Sequence, residues 1–349
     1  MGPDRTRQMK RAWLTNAAAL LLVLCGSPAI AADRTGNAVQ VGTTFPDNFP
    51  VFENFYLGKP VIGFGSDLGR VSHVPVIFLH GNNDTPFPTA CNPFGHIHDF
   101  AQFFLDNGYK PSELWGLGYQ GDQCDLLQDE THRSGVAHTT AAAVPLLRRF
   151  VHAVLKFTGA RRVDIVAHSL GVTVAREWML QDNAFRLVRA LVAIDGPNHG
   201  IINCSPNPAN FYQLPANGGF TPHSAVCDEY GSDHTQLLSV LNSAGETPGP
   251  TRYLVIRNVS GANPESGDFV FLPQQDGLLP GVPAEDRDGN PHDFSDSALL
   301  SGALTINLTG QGQFDPILGT AHLGILNSPV SRQAALNFLT SPGRDRDDQ

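Results

Sequence analysis

The sequence predicts an α/β protein with a mostly parallel central sheet and helices on both of its faces. Three observations carry this reading. Short apolar runs recur at Val74–Leu79 and Ala190–Ile194 and in the middle of Arg252–Val259. Stretches of helical periodicity fall between them. A further run, Val163-Asp164-Ile165-Val166-Ala167-His168, leads straight into Ser169-Leu170-Gly171 and then into a helical stretch. Strands buried on both faces lose the apolar–polar alternation of a half-exposed sheet, and none of these runs alternates.

Residues 1–31 read as an export signal. Arg5, Arg7, Lys10 and Arg11 make a basic start. Ala17–Leu24 is apolar but too short to span a bilayer, and Ala29-Ile30-Ala31 offers a small-residue cleavage site. Leu24 before Cys25 argues against a lipoprotein, and Lys10-Arg11 against a twin-arginine signal. An uncleaved anchor is the rival reading. The expected mature chain is secreted, extracellular or periplasmic, with no stable membrane span.

Residues 32–72 are rich in Gly, Pro and Phe without clear period, and read as a meandering N-terminal arm. The strand Val74–Leu79 follows. His98–Asn107 reads as a helix with Phe100, Phe103 and Phe104 on one side, and Glu113–Tyr119 as a short strand. Thr139–Phe157 carries Val144, Leu147, Val151 and Val154 at helical spacing, with Pro145 in its first turn or at a kink. The Val163 strand and its helix come next, then strands at Ala190–Ile194, Arg252–Val259 and Leu304–Leu308. Ser328-Pro329 is an N-cap and N1 pair opening a last helix to about Leu339. Residues 73–340 are thus one domain, with loop insertions at 201–250 and 260–298 and a disordered tail at 341–349.

The 349 residues are 41% hydrophobic and 16% charged, enough for one large domain. Removing residues 1–31 takes away four basic side chains and Asp4, moving the formal net charge from −10 to −13. An acidic surface argues against nucleic acid and anionic membranes as main partners. A monomer is expected. Cys91, Cys124, Cys204 and Cys227 remain, an even number suited to two disulfides in an exported chain. Each of the pairs Cys91–Cys124 and Cys204–Cys227 lies in one stretch between core elements, so local pairing is expected. No cysteine–histidine spacing suits zinc, and nothing implies a redox cofactor; a structural calcium ion among the loop aspartates stays open, with no recognisable ligand spacing to mark it.

The Ser169 turn has the layout of a nucleophile elbow, which lifts a serine hydroxyl to the top of a parallel sheet. The usual pattern is G-x-S-x-G, and here Ala167 replaces the first glycine. A serine hydroxyl needs a histidine to accept its proton and a carboxylate to hold that histidine. In this fold the chain order is serine, acid, histidine. His322 fits, between the Leu304–Leu308 strand and the last helix. His292 precedes that strand and reads as an exposed loop residue. Asp276, in the turn Gln275-Asp276-Gly277, and Asp268 are both acid candidates, with turn chemistry favouring Asp276. Asp286, Asp288 and Asp293 read as solvated loop charges. An oxyanion hole needs two backbone N–H groups. Leu170 supplies one, and Asn82, in His80-Gly81-Asn82-Asn83-Asp84, is the candidate for the other. His80 and His168 read as packing and hydrogen-bonding residues.

The pairing of Val76-Ile77-Phe78-Leu79-His80-Gly81-Asn82 with Val163–Gly171 resembles the α/β-hydrolases, and within them small Bacillus-type lipases with an A-H-S-x-G elbow. It is also similar to lipase-like extracellular polyhydroxybutyrate depolymerases, which carry a His-Gly-Asn turn. Gln275-Asp276-Gly277-Leu278-Leu279 is similar to the segment around the acid of Pseudomonas- and Burkholderia-type lipases. The resemblance implies an α/β-hydrolase fold, a Ser169–Asp276–His322 triad and hydrolysis of carboxylic esters. It leaves open a lipid or a polyester substrate. A hydrolase-fold binding protein without activity is the other class, and the retained serine, late histidine, acid and His-Gly turn argue against it. Phe211, Tyr212, Phe220, Phe269 and Phe271 in the insertions have two accounts: inward packing, or an apolar platform for acyl chains.

Overall fold

The apolar runs pair as a seven-stranded sheet. The computed structural model describes residues 39–54, 57–124, 140–214, 218–259, 284–308 and 321–342. The strands are β1 (Glu53–Asn54), β2 (Lys59–Pro60), β3 (Ile62–Phe64), β4 (Val76–Leu79), β5 (Leu114–Gly118), β6 (Val163–His168), β7 (Val188–Ile194), β8 (Arg252–Asn258) and β9 (Leu304–Leu308). Strands β3 to β9 form the main sheet in the order β3-β5-β4-β6-β7-β8-β9. Only β3 runs antiparallel to its neighbour. This is an α/β-hydrolase fold, as expected.

Helices α1 (His96–Asp106), α2 (Thr140–Thr158), α3 (Leu170–Gln181), α4 (Ala225–Tyr230), α5 (Gln236–Ser243), α6 (Ala321–Gly324) and α7 (Pro329–Thr340) connect and cover the strands. Pro145 stays inside α2, where it forgoes one intrahelical bond. Ser328 caps α7 by accepting the Ser331 N–H, with Pro329 at the first helical position.

Period-2 alternation sorts the buried side chains onto two faces. Ile77, Leu79, Ile165, Ala167 and Leu191 face a core built with Leu147, Phe150 and Val154 of α2 and Trp178 of α3. Val76, Phe78, Val166 and Val192 face the other core, with Phe100 and Phe104 of α1 and Leu336 and Leu339 of α7. Asp164 interrupts the apolar run of β6. Burial raises its pKa, and Arg189 of β7 pairs with it, Nε donating to Oδ1 at 2.9 Å.

Two expectations need correction. The arm does not only meander: it supplies the β1–β2 pair and the edge strand β3, with Ile62 opposite Gly118 and Phe64 opposite Gly116. A three-residue strand carries no readable period, so its partner decides it. Residues 201–250 are also more than loop, because α4 and α5 lie inside them, capped by the Ser224 and Thr235 side chains. Both disulfides pair as expected, with Cα–Cα separations of 5.0 Å for Cys91–Cys124 and 5.5 Å for Cys204–Cys227. Residues 1–31 and the tail from 343 lie outside the described residues. Among the described residues no helix is long and apolar enough to cross a membrane.

Candidate active site

Parallel strands deliver their C-terminal ends to one edge of the sheet, where ligand sites of open α/β sheets form. β6 ends there, and Ser169 follows it at φ 52° and ψ −126°, a sparsely populated conformation for a residue with a Cβ. The Ser169 N–H is held by the Ile194 carbonyl at 2.9 Å, and α3 starts at Leu170. The chain after β4 crosses this turn at near backbone contact. A Cβ on Gly171 would lie 2.7 Å from the His80 carbonyl oxygen, and one on Gly81 would lie 3.0 Å from Ser169 Cβ. Position 171 therefore requires glycine, and position 81 admits a Cβ only if its neighbours shift. Ala167 is buried within β6 without such a clash, which explains why alanine serves there.

His322 comes from 153 residues further along the chain, yet its Nε2 lies 2.9 Å from Ser169 Oγ. It sits buried in α6. The backbone around it is held twice. His168 Nε2 donates to the His322 carbonyl at 2.8 Å. Asn258, the last residue of β8, donates from Nδ2 to the Ala321 carbonyl at 3.0 Å and to Asp195 Oδ2 at 2.7 Å. Asp195, directly after β7, also accepts the Asn258 N–H at 2.9 Å. Asp276 and Asp268 lie outside the described residues.

His292 and Asp286 differ from the sequence reading. His292 is half-buried, and its Nε2 donates to the His199 carbonyl at 3.2 Å, bracing the segment after β7. Asp286 is buried at a turn. Burial acts to raise its pKa, but the N–H groups of Asn290 and Asp288 and the Ser232 hydroxyl outweigh it and hold the carboxyl below its ordinary range. Asp288 and Asp293 are exposed, as read.

The second side of the site is the turn His80-Gly81-Asn82-Asn83. His80 is buried, donates from Nδ1 to the Gly81 carbonyl at 2.8 Å, and stacks on Tyr119 at 4.3 Å between centroids. Both His80 and His168 therefore pack and bond as read. The Tyr119 hydroxyl donates to the His80 carbonyl. Asn83 takes φ 55°, and its N–H donates to Gln120 Oε1 at 2.9 Å. Among the described residues, neither the Asn82 nor the Leu170 N–H meets a protein acceptor. Such donors can receive an anionic oxygen beside Ser169. Burial pushes the neighbouring Asp84 carboxyl up to about 6, against the N–H bonds from Thr85 and Gly95 that lower it. Burial likewise raises the Tyr119 hydroxyl. Among the described residues no group of three or more His, Cys, Asp or Glu is placed to hold a metal ion.

Tyr119, Gln120, Asp195 and Asn258 escaped the sequence reading. Each is a single polar residue at or just past a strand end, where no period marks it. Their position at the strand ends was the one available signal. Of the insertion aromatics, Tyr212 is buried and meets the partly buried Phe220 edge-on, centroids 6.2 Å apart, which favours inward packing for both. The Phe211 side chain, Phe269 and Phe271 lie outside the described residues.

The sequence pattern of the family described as Lipase (class 2) matches residues 73–260, more than half of the chain. Among solved structures, the mature form of Bacillus licheniformis lipase BlEst2 is similar at 14% identity and a TM-score of 0.47, over 80% of this chain and 98% of that one. Aspergillus fumigatus lipase B is similar at 14% identity and a TM-score of 0.45, over 95% of this chain and 64% of that one. Phospholipase PlaB from Legionella pneumophila is similar at 14% identity and a TM-score of 0.49, over 78% of this chain and 61% of that one.

Proposed function

Because the chain belongs to the class 2 lipase family and is a carboxylic ester hydrolase, we propose that it is an exported serine lipase acting through Ser169, His322 and Asp276. Ser169 Oγ attacks the ester carbonyl while His322 Nε2 takes its proton. The carbonyl oxygen becomes anionic and is received by the N–H groups of Asn82 and Leu170. His322 then returns the proton to the leaving alcohol, and an acyl-enzyme remains. Water attacks that ester with His322 again as base, His322 passes the proton to Ser169 Oγ as the acyl–oxygen bond breaks, and the free acid departs. Asp276 holds the imidazole in the tautomer that leaves Nε2 free to accept.

The observation that carries this reading is the 2.9 Å approach of His322 Nε2 to Ser169 Oγ at a strained strand-to-helix turn. Local folding does not bring residues 153 positions apart into hydrogen-bond reach with a serine at positive φ. Lipid acyl esters are the proposed substrates, in keeping with the family. The basic and apolar residues 1–31 and the two disulfides support export.

Ser169→Ala keeps the Cβ and the turn. It should lower kcat on p-nitrophenyl butyrate and on a triglyceride emulsion by about 10⁴- to 10⁶-fold. The melting temperature should stay unchanged. A variant that hydrolyses both esters near the wild-type rate would remove Ser169 from the chemistry.

A further inference from the structure

We propose that Gln120 is a positioning residue for ester hydrolysis: its side-chain amide holds the Asn82–Asn83 turn so that the Asn82 N–H faces the oxygen that becomes anionic beside Ser169. This rests on the reading of Asn82 as an oxyanion donor.

The turn is anchored to the segment that follows β5. The Tyr119 hydroxyl bonds the His80 carbonyl, and Gln123 Nε2 reaches the Asp84 carbonyl at 3.4 Å. Thr89 Oγ1 donates to the Asp122 carbonyl at 2.8 Å, and Cys91–Cys124 closes the far end. These ties lie before or beyond the two asparagines. Gln120 is the one among them that grips both. Its Oε1 accepts the Asn83 N–H at 2.9 Å, and its Nε2 donates to Asn82 Oδ1 at 3.2 Å. The residue is buried, so water competes little for either end of the amide.

Both bonds bear on the orientation of one N–H. Asn83 sits at φ 55°, a conformation that a non-glycine residue keeps only when its surroundings impose it. The acceptor on its N–H imposes it together with Asn92 Nδ2, which donates to the Asn83 carbonyl at 2.7 Å. The bond to Asn82 Oδ1 fixes the side chain of the donor residue itself. Without the two Gln120 bonds, the Asn82–Asn83 peptide loses its acceptor, and the Gly81–Asn82 peptide that carries the donor N–H is held only on its carbonyl side, by His80 Nδ1 at 2.8 Å, so the N–H is aimed less tightly. An oxyanion hole acts by being aimed in advance, with donors about 2.7–3.1 Å from where the charge develops. The neutral carbonyl of a bound ester gains far less from that aim. A loosened donor should therefore reduce kcat and spare KM.

The test compares wild type, Gln120→Ala and Gln120→Glu on p-nitrophenyl butyrate. n-Butylboronic acid serves as a probe that forms an anionic tetrahedral adduct on a nucleophilic serine. Removing an oxyanion donor outright costs about 10²- to 10³-fold in kcat. A donor left in place but unaimed should cost less, about 10- to 50-fold in Gln120→Ala. KM should stay within about twofold. The boronate Ki should rise by the factor by which kcat/KM falls. Gln120→Glu keeps the acceptor for the Asn83 N–H but, once ionised, opposes Asn82 Oδ1. It should recover activity at acidic pH, where its protonated oxygen can donate, and lose it as the carboxyl ionises. Neither wild type nor Gln120→Ala should show that added limb in kcat relative to the other. Unchanged kcat and Ki in Gln120→Ala would overturn the proposal. So would a fall in kcat with unchanged Ki, or activity lost in step with melting temperature and not recovered by Gln120→Glu at any pH. Ser169→Ala, run alongside, separates the two claims. If it is inactive while Gln120→Ala is normal, the positioning role fails and the serine reading stands; if it stays active, the serine reading fails.

Discussion

Asp84 is buried three residues past Gly81, with its Oδ1 accepting the N–H groups of Thr85 and Gly95. Burial outweighs those bonds and pushes its pKa up to about 6, from an ordinary 3.8. The folded chain thus holds this proton more tightly than the unfolded chain does. Below about pH 3.8 both states are protonated and the group is neutral to stability. Between 3.8 and about 6 the unfolded chain ionises first, and stability falls as pH rises. Above that the loss is complete, on the order of 3 kcal/mol for a shift of this size. Asn keeps the acceptor and never ionises. Asp84→Asn should raise stability by about 1–3 kcal/mol at pH 8 and match wild type near pH 4. Thermal unfolding at the two pH values reads this directly, and an equal difference at both would show that ionisation is not the cause. Glu113 behaves with the opposite sign. Burial acts to raise its pKa, but the N–H groups of His73, Lys110 and Ser72 and the His73 ring outweigh it and hold it low. Its contribution is present at neutral pH and is lost as pH falls through its folded value.

Between β7 and β8, α4 and α5 turn a Pro-, Asn- and Gly-rich stretch into packed structure. Cys204–Cys227 ties the start of that stretch to α4, and Tyr212 and Phe220 close over the core beside it. Phe220 then works as a staple. Phe220→Ser should lower stability by about 1–2 kcal/mol, or roughly 3–6 °C in Tm. The ratio of activity on emulsified triglyceride to activity on p-nitrophenyl butyrate should stay constant. A falling ratio at unchanged Tm would instead make the ring a platform for substrate. The same contrast separates what could be read in the chain from what could not. β4, β6, β7 and β8 are buried on both faces, so each centres on an unbroken stretch of three or more apolar residues that a loop seldom imitates. α2 is long enough for its period to show. α4 and α5 are six and eight residues long and bury only a few side chains each. β3 exists because β5 offers it an edge. Ser169 and His322 were legible because a turn with demanding sterics and a chain-order rule both leave marks. Gln120 and Asn258 left none, because a single polar residue at a strand end reads like any loop residue.

The whole sheet is what makes one site from distant segments. β4, β5, β6, β7 and β8 run parallel and end together, so His80–Asn83, Tyr119–Gln120, Ser169, Asp195 and Asn258 gather at one edge. The chain then adds His322 from beyond β9. The same geometry bears on where the acid is sought. Asp195, after β7, has both carboxylate oxygens engaged by Asn258, and through Asn258 it holds the Ala321 carbonyl beside His322. That arrangement braces the backbone of the histidine. The carboxylate that holds the ring is then expected from the segment leaving β8, where Asp268 and Asp276 both lie. In the sequence Asp276 is followed by Gly277, a pair whose chemistry favours a turn, and Asp268 directly precedes the apolar Phe269-Val270-Phe271. Replacing the orienting acid by its amide leaves the fold intact but favours the wrong imidazole tautomer, which costs about 10⁴-fold in kcat. Asp276→Asn should show a loss of that order with unchanged Tm, while Asp268→Asn stays within about tenfold of wild type. The reverse ranking, read from kcat on p-nitrophenyl butyrate, would move the orienting role to Asp268. A deep loss in neither would mean that the carboxylate behind His322 reaches it from another strand end, with Asp195 the next to replace.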